Sequence, residues 1–489
     1  MWLLLKNQSI YIWLVVILFA VITSVQVVRE TRSPSKTAAY LLLIILFPIG
    51  GPLLYFLVGV NYRKRKIYSK KLIKNEVLFQ QVKKRILKDS KEIREKHPDL
   101  TARNSELIDL LLGESLSPLT ENRVTLLING DEKFPALIQA LQNARNFIHM
   151  EYYIFENDEI GNTIKDILIQ KAKEGVAVRI IFDDFGSHDL WDDMVHELRT
   201  QGVQVYPFYR IHFILLANRL NYRDHRKVVI IDGHTGFVGG MNIADRYVNQ
   251  HKQPGMFWRD THIKVEGSAV LNLQYHFLSN WNFCADDNLG MDMESRFFPE
   301  YADHQKGADL VQIVTGGPDY PRPSIMLSYF SAIMHAQKSV YITTPYFIPN
   351  ESIVNAIKKA AFSGKDVRLL LPARSDAKLA DAASRFYIQD LLESGVKIYL
   401  YKKGFIHAKT LVADDTLSIV GTANMDLRSF ELNFEINAVV YSKEINEKLT
   451  RSFQDDLRES TLLTLEEWTK RNRLLAFLDA LARILAPLL

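Results

Sequence analysis

Two stretches of this 489-residue chain carry the same reactive side chains at the same spacing. Both follow the pattern H-x-K-x4-D-x6-G-x2-N, and five residue types at five fixed offsets are too many to recur by chance. Residues two apart in a strand share a face, so each His stands beside its Lys and presents a nucleophile next to a fixed cation. The copies are His225, Lys227, Asp232, Gly239 and Asn242, and His407, Lys409, Asp414, Gly421 and Asn424.

The doubled motif resembles that of the phospholipase D superfamily, whose members break and remake phosphodiester bonds through a covalent phosphohistidine. With an apolar N-terminus, the segment 183–187 and a C-terminal helix, the chain resembles the bacterial cardiolipin synthases over nearly its whole length. It departs from the family in one respect, because Gly240 and Thr422 stand where a Ser usually follows the motif glycine. Glycine has no side chain to donate a hydrogen bond, so the first half cannot use a hydroxyl there.

We expect the two copies to share one cleft, because a two-step displacement at phosphorus needs two imidazoles. One must be neutral to attack and the other protonated to release the alcohol, which predicts a bell-shaped pH profile. The motif lysines and asparagines are placed to hold the nonbridging phosphate oxygens. We expect no metal and no cofactor, since neither motif has the carboxylate and imidazole cluster of a two-metal phosphodiesterase. Asp232 and Asp414 follow their strands and are expected to support turns.

The resemblance implies roles that the motifs alone do not assign. It makes His225 the nucleophile and His407 the acid. It also points to Asp260 behind His225 and to Glu435 behind His407, as acceptors that fix the tautomer of each ring. Three tyrosines end repeated strands, and they either line the cleft or belong to the core: Tyr152, Tyr153 and Tyr346.

The reaction implied by the resemblance joins two phosphatidylglycerol molecules into cardiolipin and releases glycerol. The implied partners are phosphatidylglycerol and anionic membrane lipids. Two enzymes of the same chemistry stay open, a phospholipase D hydrolase and a phosphatidylserine synthase, because the motifs do not show which acceptor reaches the intermediate. A non-catalytic membrane scaffold is an alternative of another class, and the presence of both His–Lys pairs argues against it.

The repeat extends beyond the motifs and indicates an α/β fold with two phospholipase D-like sandwich halves related by a pseudo-twofold. A β-α-β-α rhythm begins near Val124 and again near Leu310, and it predicts a largely parallel sheet. An apolar insertion within 208–221 either contacts lipid or folds onto its own domain. The expected parts are a membrane hairpin (1–71), a helical connector (72–120), a first half (121–300, motif 220–247) and a second half (301–489, motif 402–429).

Two apolar runs, residues 10–28 and 38–60, are each long enough to cross a bilayer as a helix. Two prolines and two glycines between positions 48 and 52 interrupt the second run, so we expect it to be kinked or re-entrant. A cleaved signal peptide is the alternative for the first run. The basic cluster at 63–71 predicts a multi-pass protein of a bacterial cell membrane with its catalytic region in the cytoplasm.

The C-terminal residues 473–489 are predicted to form an amphipathic helix. Packing of its leucine stripe onto the protein core is the ordinary expectation, and an interfacial membrane helix is the alternative. The stripe consists of Leu474, Leu478, Leu481, Leu485 and Leu488.

Charge argues against a nucleic-acid partner. Residues 1–71 hold ten basic residues and one acid, a net charge of +9, so the formal total of +4 leaves −5 for the rest. A mildly acidic catalytic region lacks the broad basic surface of a nuclease. The single cysteine, Cys284, permits no internal disulfide, and nothing in the sequence indicates an oligomeric state.

Overall fold

The structure is a computed structural model, and it describes residues 2–31, 34–56, 76–115, 117–187, 193–208, 222–250, 256–285, 289, 296–299 and 307–485. The chain divides into two compact units, one built mainly from the first 72 residues and the other containing both motifs. The basic cluster at 63–71 and the apolar insertion beyond Phe208 lie outside the described residues.

The N-terminal unit is built on one long apolar helix, α1 (Trp2–Glu30). Within the described residues, its segment Tyr11–Glu30 is the one helix long and apolar enough to cross a membrane. α2 (Pro34–Leu46) is shorter, and helical geometry resumes only at α3 (Gly50–Leu54), which confirms the predicted interruption of the second apolar run. The end of that run, residues 57–60, is not among the described residues. Where these helices meet, Val27, Ile44 and Tyr55 form a buried apolar cluster.

In the larger unit, helices and strands alternate. The described helices are α4 (Glu76–Lys96), α5 (Pro98–Thr101), α6 (Ser105–Ser115), α7 (Asn129–Gln142), α8 (Glu159–Lys173), α9 (Met194–Thr200), α10 (Ala269–Cys284), α11 (Ser324–His335), α12 (Glu351–Phe362), α13 (Lys378–Glu393), α14 (Leu427–Glu431), α15 (Lys443–Arg458), α16 (Leu465–Thr469) and α17 (Arg473–Leu485). The strands are β1 (Thr120–Ile128), β2 (Phe147–Tyr152), β3 (Ala177–Asp183), β4 (Gln204–Phe208), β5 (Lys227–Ile231), β6 (Thr235–Gly239), β7 (Phe257–Arg259), β8 (Thr261–Gly267), β9 (Asp309–Gly316), β10 (Ser339–Thr343), β11 (Phe347–Ile348), β12 (Asp366–Pro372), β13 (Lys397–Tyr401), β14 (Gly404–Ile406), β15 (Thr410–Ala413), β16 (Leu417–Gly421), β17 (Met425–Asp426), β18 (Glu435–Tyr441) and β19 (Ser460–Leu463).

One continuous sheet runs through both halves, in the order β4-β3-β2-β5-β6-β8-β1-β9-β18-β16-β15-β10-β12-β13-β19. The halves join where β1 and β9 pair antiparallel, with Thr120 opposite Val311. Outward from this seam, β8-β6-β5-β2-β3-β4 on one side repeats as β18-β16-β15-β10-β12-β13 on the other. The predicted repeat of two α/β halves is therefore present, with their sheets fused edge to edge.

The prediction of a largely parallel sheet is wrong for the inner strands. Among the described strands of this sheet, β2, β3 and β4 pair in parallel, as do β10, β12 and β13, whereas the motif strands β5 and β15 have antiparallel neighbours. Each motif strand returns at once through a short turn, and such a turn joins only antiparallel strands. A strand buried on both faces is apolar throughout, so its sequence does not show whether its neighbours run parallel or antiparallel to it.

The predicted connector is helical in its described part, but it is not a separate linker. Leu107, Ile108 and Leu111 of α6 are buried in one cluster with Ile333 of α11 and Ile419 of β16. The segment therefore completes the core of the second half, to which it packs across a long sequence separation.

α17 faces the opposite way from the core-packing expectation, which is therefore wrong. Its apolar side chains are largely exposed, with Leu474 at 64% and Phe477 at 60%, whereas Asp479 is buried. Asp479 forms ion pairs with Arg385 of α13 and with Arg471. A buried charge needs such partners, so the acidic side of the helix is held inward and the leucine stripe turns outward.

Candidate active site

Each motif histidine lies where a short inter-half pairing ends. The His225 amide donates to the carbonyl of Phe434 at 2.9 Å, and the His407 amide donates to the carbonyl of Arg259 at 2.7 Å. β14, just before His407, pairs in parallel with β7, and Asp224, just before His225, bridges in parallel to Phe434. The segment that leads to each His is thus hydrogen-bonded to the opposite half.

The carboxylates that support the histidines cross between the halves. His225 Nδ1 lies 2.9 Å from Glu435 Oε1, and His407 Nδ1 lies 2.7 Å from Asp260 Oδ2. The prediction that Asp260 lies behind His225 and Glu435 behind His407 is wrong in its pairing, although both carboxylates do support a motif His. The two imidazole–carboxylate dyads are His225–Glu435 and His407–Asp260.

The crossing follows from the inter-half pairings. Phe434 bridges to Asp224, so the next residues, Glu435 and His225, stand side by side. Arg259 pairs with Ile406, so Asp260 and His407 stand side by side in the same way. Because these partners are 210 and 147 residues apart, no local pattern in the sequence encodes the pairing.

The two carboxylates are held differently. Glu435 also accepts a hydrogen bond from Thr422 Oγ1 at 2.5 Å, whereas Asp260 accepts one from the Thr261 amide at 2.7 Å. Opposite Asp260 stands Gly240, where an added Cβ would lie 2.2 Å from Asp260 Oδ1. The shorter carboxylate therefore occupies the space that a side chain at position 240 would need.

Burial dominates the electrostatics of both dyads. It lowers the pKa of His225 to about 4, against the opposing pull of Glu435, and it lowers the pKa of His407 well below its ordinary value. Burial also raises the pKa of Asp260 to about 6. Both imidazoles are therefore neutral at pH 7 before an anionic substrate binds, as a nucleophile requires.

Both motif lysines are buried and point toward the dyads. Lys227 Nζ donates to the His225 carbonyl at 2.7 Å, and Lys409 Nζ donates to the His407 carbonyl at 2.5 Å. Burial lowers the pKa of Lys227 to about 7 and that of Lys409 to about 8. Repulsion from the Lys409 ammonium also contributes to the lowered pKa of Lys227. The structure thus brings the four motif side chains into one electrostatically coupled site.

The motif asparagines and aspartates have different surroundings. Asn242 donates to the Tyr247 hydroxyl at 2.8 Å and accepts from the Ile154 amide. Asn424 Oδ1 is buried with no hydrogen-bond partner among the described residues. Asp232 and Asp414 both have a positive φ of 53°, and each accepts backbone amides from the segment before β2 or β10: Arg145, Asn146 and Phe147, and Gln337, Lys338 and Ser339. The aspartates therefore support turns, at the far end of the strands that start beside each His.

The three predicted tyrosines have different surroundings. The Tyr153 ring packs edge-on against His225 with centroids 4.9 Å apart, so it borders the site. Tyr152 points to the other face and is fully buried in the core of the first half. The Tyr346 hydroxyl donates to Asp376 at 2.5 Å, and Asp376 acts electrostatically on His407.

Sequence reasoning did not identify several of the described residues near the dyads. Trp258 and Phe405 have ring centroids 5.7 and 5.8 Å from that of His407, Asp376 acts electrostatically on the same ring, and Arg223 lies on the His225 side. Arg223 and Phe405 each precede a motif His by two residues, so the strand periodicity that links each His to its Lys would have placed them on the same face. For Trp258 and Asp376 no comparable signal exists.

Comparison with known proteins identifies relatives of this chain. A family model described as "Cardiolipin synthase, PLD-like domain" matches residues 137–281 and 329–457, and one described as "Phospholipase_D-nuclease N-terminal" matches residues 10–59. Cardiolipin synthase 2 of Bacillus anthracis is 44% identical over 473 residues, which cover 94% of this chain and 88% of the relative. The chain belongs to the cardiolipin synthase family.

A further family member matches nearly the whole chain. Cardiolipin synthase of Geobacillus sp. (strain WCH70) is 40% identical and covers 99% of this chain and 94% of its own length. Among solved structures, phosphatidylserine synthase of Haemophilus influenzae Rd KW20 has a TM-score of 0.58 at 16% identity, covering 78% of this chain and 98% of that one. The likeness to this solved structure shows that the two proteins share a fold. With its apolar N-terminal helix, this cardiolipin synthase family member is a membrane enzyme.

Proposed function

We propose that the protein makes cardiolipin and glycerol from two molecules of phosphatidylglycerol by a two-step exchange at phosphorus. The observation that carries the proposal is the convergence of two imidazole–carboxylate dyads and two lysines in one buried site. One dyad supplies a nucleophile and the other an acid, which is the minimum that such an exchange requires.

In the first step, neutral His225 attacks the phosphorus of one phosphatidylglycerol and a P–N bond forms. The P–O bond to the headgroup breaks, and protonated His407 gives its proton to the departing glycerol. The substrate anion favours that imidazolium, and Asp260 stabilises it through Nδ1. Lys227 and Lys409, with the remaining amide hydrogens of Asn242 and Asn424, hold the nonbridging oxygens as charge develops.

In the second step, a headgroup hydroxyl of another phosphatidylglycerol gives its proton to His407, now neutral, and attacks phosphorus. The P–N bond breaks and cardiolipin leaves. One phosphodiester replaces another, so the overall exchange is close to isoenergetic and should run in both directions. The same intermediate would give phosphatidic acid with water or phosphatidylserine with serine.

The test uses the purified full-length protein with phosphatidylglycerol in detergent, assayed for cardiolipin, glycerol and phosphatidic acid. We expect cardiolipin and glycerol in equal amounts, and the loss of both in His225→Ala and in His407→Ala. Phosphatidic acid as the main product would favour a hydrolase, and phosphatidylserine formed on addition of serine would favour that synthase. Near-normal turnover in either alanine variant would refute the shared site.

We also infer a cytoplasmic catalytic unit, a second membrane crossing within residues 38–60, and α17 at the bilayer surface. The outward leucines of α17, held there by the buried Asp479, support this last contact. Labelling of single cysteines from either side of inverted vesicles tests the topology. Leu478→Glu should weaken the recovery of protein on phosphatidylglycerol vesicles relative to Ala476→Glu, and equal recovery would contradict the surface contact.

A further inference from the structure

The His225 side of the site carries a buried cation that the exchange at phosphorus does not use. Arg223 is 7% exposed, and among the described residues its guanidinium has no hydrogen bond and no ion pair. Its charge centre lies 4.3 Å from the centre of the Phe185 ring, which holds the side chain in place. A buried charge without an ionic partner is costly, so this arrangement favours an anionic ligand.

A second arginine lies beside the first. Arg428 of α14 donates from Nε to Asn433 Oδ1 at 3.3 Å, and burial together with Arg223 lowers its pKa. Both guanidinium groups act electrostatically on Tyr153, whose ring packs against His225. The two arginines therefore form a cationic pair at the edge of the site, which we call the arginine pair.

The nearby carboxylate of Asp183 forms no ion pair with Arg223 among the described residues. Asp183 lies close enough to feel the charge of Arg223, but its oxygens accept hydrogen bonds from the backbone amides of Asp224, Phe185 and Gly186. Burial raises the pKa of Asp183 above its ordinary value. Its hydrogen-bonding capacity is thus used to shape the loop after β3.

The place of Arg223 relative to the dyad follows from strand geometry. Arg223, His225 and Lys227 are successive alternate residues of one extended segment, so they share a face. Two residues of strand advance about 6.6 Å, and Arg223 is displaced from His225 away from the sheet. A group that binds Arg223 is therefore offset by about that distance from the phosphorus at His225, on the side away from β5.

We propose that the arginine pair binds the phosphodiester of the second lipid, the acceptor, while its headgroup hydroxyl attacks the phosphatidyl-enzyme. This inference rests on the proposed function, because that reaction brings two phosphates into one site and the motif lysines hold only the first. Arginine suits the task, since its planar fork can bond two phosphate oxygens at once. The pair would thereby select a phosphate-bearing alcohol over water.

The internal repeat supports this assignment, because the cationic pair has no counterpart around His407. The residue two before His407 is Phe405, whose ring packs against Trp258 at 4.9 Å. The position of Arg428 in the repeat is taken by Arg246 in the first half, and Arg246 forms an ion pair with Glu156. A purely structural need of the fold would be expected to appear in both halves.

The test compares two reactions of the same phosphatidyl-enzyme in the detergent-solubilised full-length protein. One is cardiolipin formation from phosphatidylglycerol, and the other is incorporation of labelled glycerol into phosphatidylglycerol, whose acceptor carries no phosphate. In Arg223→Gln, we expect cardiolipin formation to fall about tenfold or more while glycerol incorporation stays within about twofold, because only the first acceptor needs a buried charge partner. Arg223→Lys should recover part of the loss.

Arg246→Gln is the matched control, since it removes an arginine that is already neutralised, and it should leave the ratio of the two rates unchanged. Equal loss of both reactions in Arg223→Gln would overturn the assignment, and so would no loss in either. Wild-type protein that incorporates glycerol but makes no cardiolipin would instead refute the proposed function.

Discussion

The two sides of the cleft have the same framework and different side chains. Both present a His two residues before a Lys, and both receive a carboxylate from the opposite half. Around His225 stand Glu435, Thr422 and the arginine pair, whereas around His407 stand Asp260, Gly240 and aromatic rings. The shared features serve the chemistry that the two steps have in common. The differences therefore identify what each side must do alone.

The strongest test of this comparison removes the charge from each supporting carboxylate. Glu435→Gln and Asp260→Asn should each lower kcat by roughly 10²–10⁴-fold, because the amide neither fixes the reactive tautomer nor stabilises an imidazolium. Steady-state kinetics with phosphatidylglycerol measures the loss, and circular dichroism checks the fold.

A matched control is Asp415→Asn, which changes an exposed carboxylate far from the dyads. Unequal losses in the two dyad variants would show that one dyad carries the more demanding step. Activity close to that of the wild type in either would mean that the crossed pairing is not used in catalysis.

The residue after each motif glycine gives a smaller, asymmetric effect. Thr422→Val removes a hydrogen bond to Glu435 while preserving shape, so we expect about 1–2 kcal/mol, or roughly 5–30-fold in kcat. Gly240→Ala introduces a Cβ 2.2 Å from Asp260 Oδ1 and should cost more, because Asp260 must move away from His407.

Parallel kinetic measurements on both variants decide this point. If Gly240→Ala were the milder change, Asp260 would have room to move aside. The difference between Thr422 in one half and Gly240 in the other would then have no consequence for catalysis.

The pH profile separates the carboxylate of one side from the lysines of both. The pKa of Asp260 is about 6, and its charge is present above that value, so kcat/KM should fall as the pH drops below about 6. Lys227 and Lys409 are cationic below their pKa values of about 7 and 8, so activity should also fall as the pH rises through that range. The maximum is expected between the two limbs, with changes of up to tenfold per pH unit for each group that titrates.

Asp260→Asn should remove the acidic limb and keep the alkaline one, as measured on the residual activity. A constant kcat/KM from pH 5 to 9 in the wild-type protein would contradict both assignments.

Sequence reasoning succeeded where the determinant is local. The repeated motif, the interruption of the second apolar run and the turn-supporting role of Asp232 follow from residue types within a few positions of one another. The alternation of side chains along a strand likewise links His225 to Lys227, and it would have found Arg223.

It failed where the determinant is a distant partner. Which carboxylate serves which His depends on the pairing of Phe434 with Asp224, and a buried apolar strand does not record the direction of its neighbour. The outward stripe of α17 was missed for a similar reason, because the ion pair of Asp479 with Arg385 decides which side of the helix is buried. Tyr152 and Tyr153 could not be separated until the register of β2 was known.

Because each half supplies the carboxylate for the histidine of the other, the two halves depend on each other for function. Neither half contains a complete dyad, so a half-length copy could function only in company, as a dimer or as two complementing fragments. A substitution at Glu435 changes the surroundings of His225, which lies 210 residues earlier in the chain. A change in one half must therefore be compatible with the dyad residue of the other half. The dyad residues of one half therefore cannot change independently of those in the other half, even where the surfaces of the two halves differ.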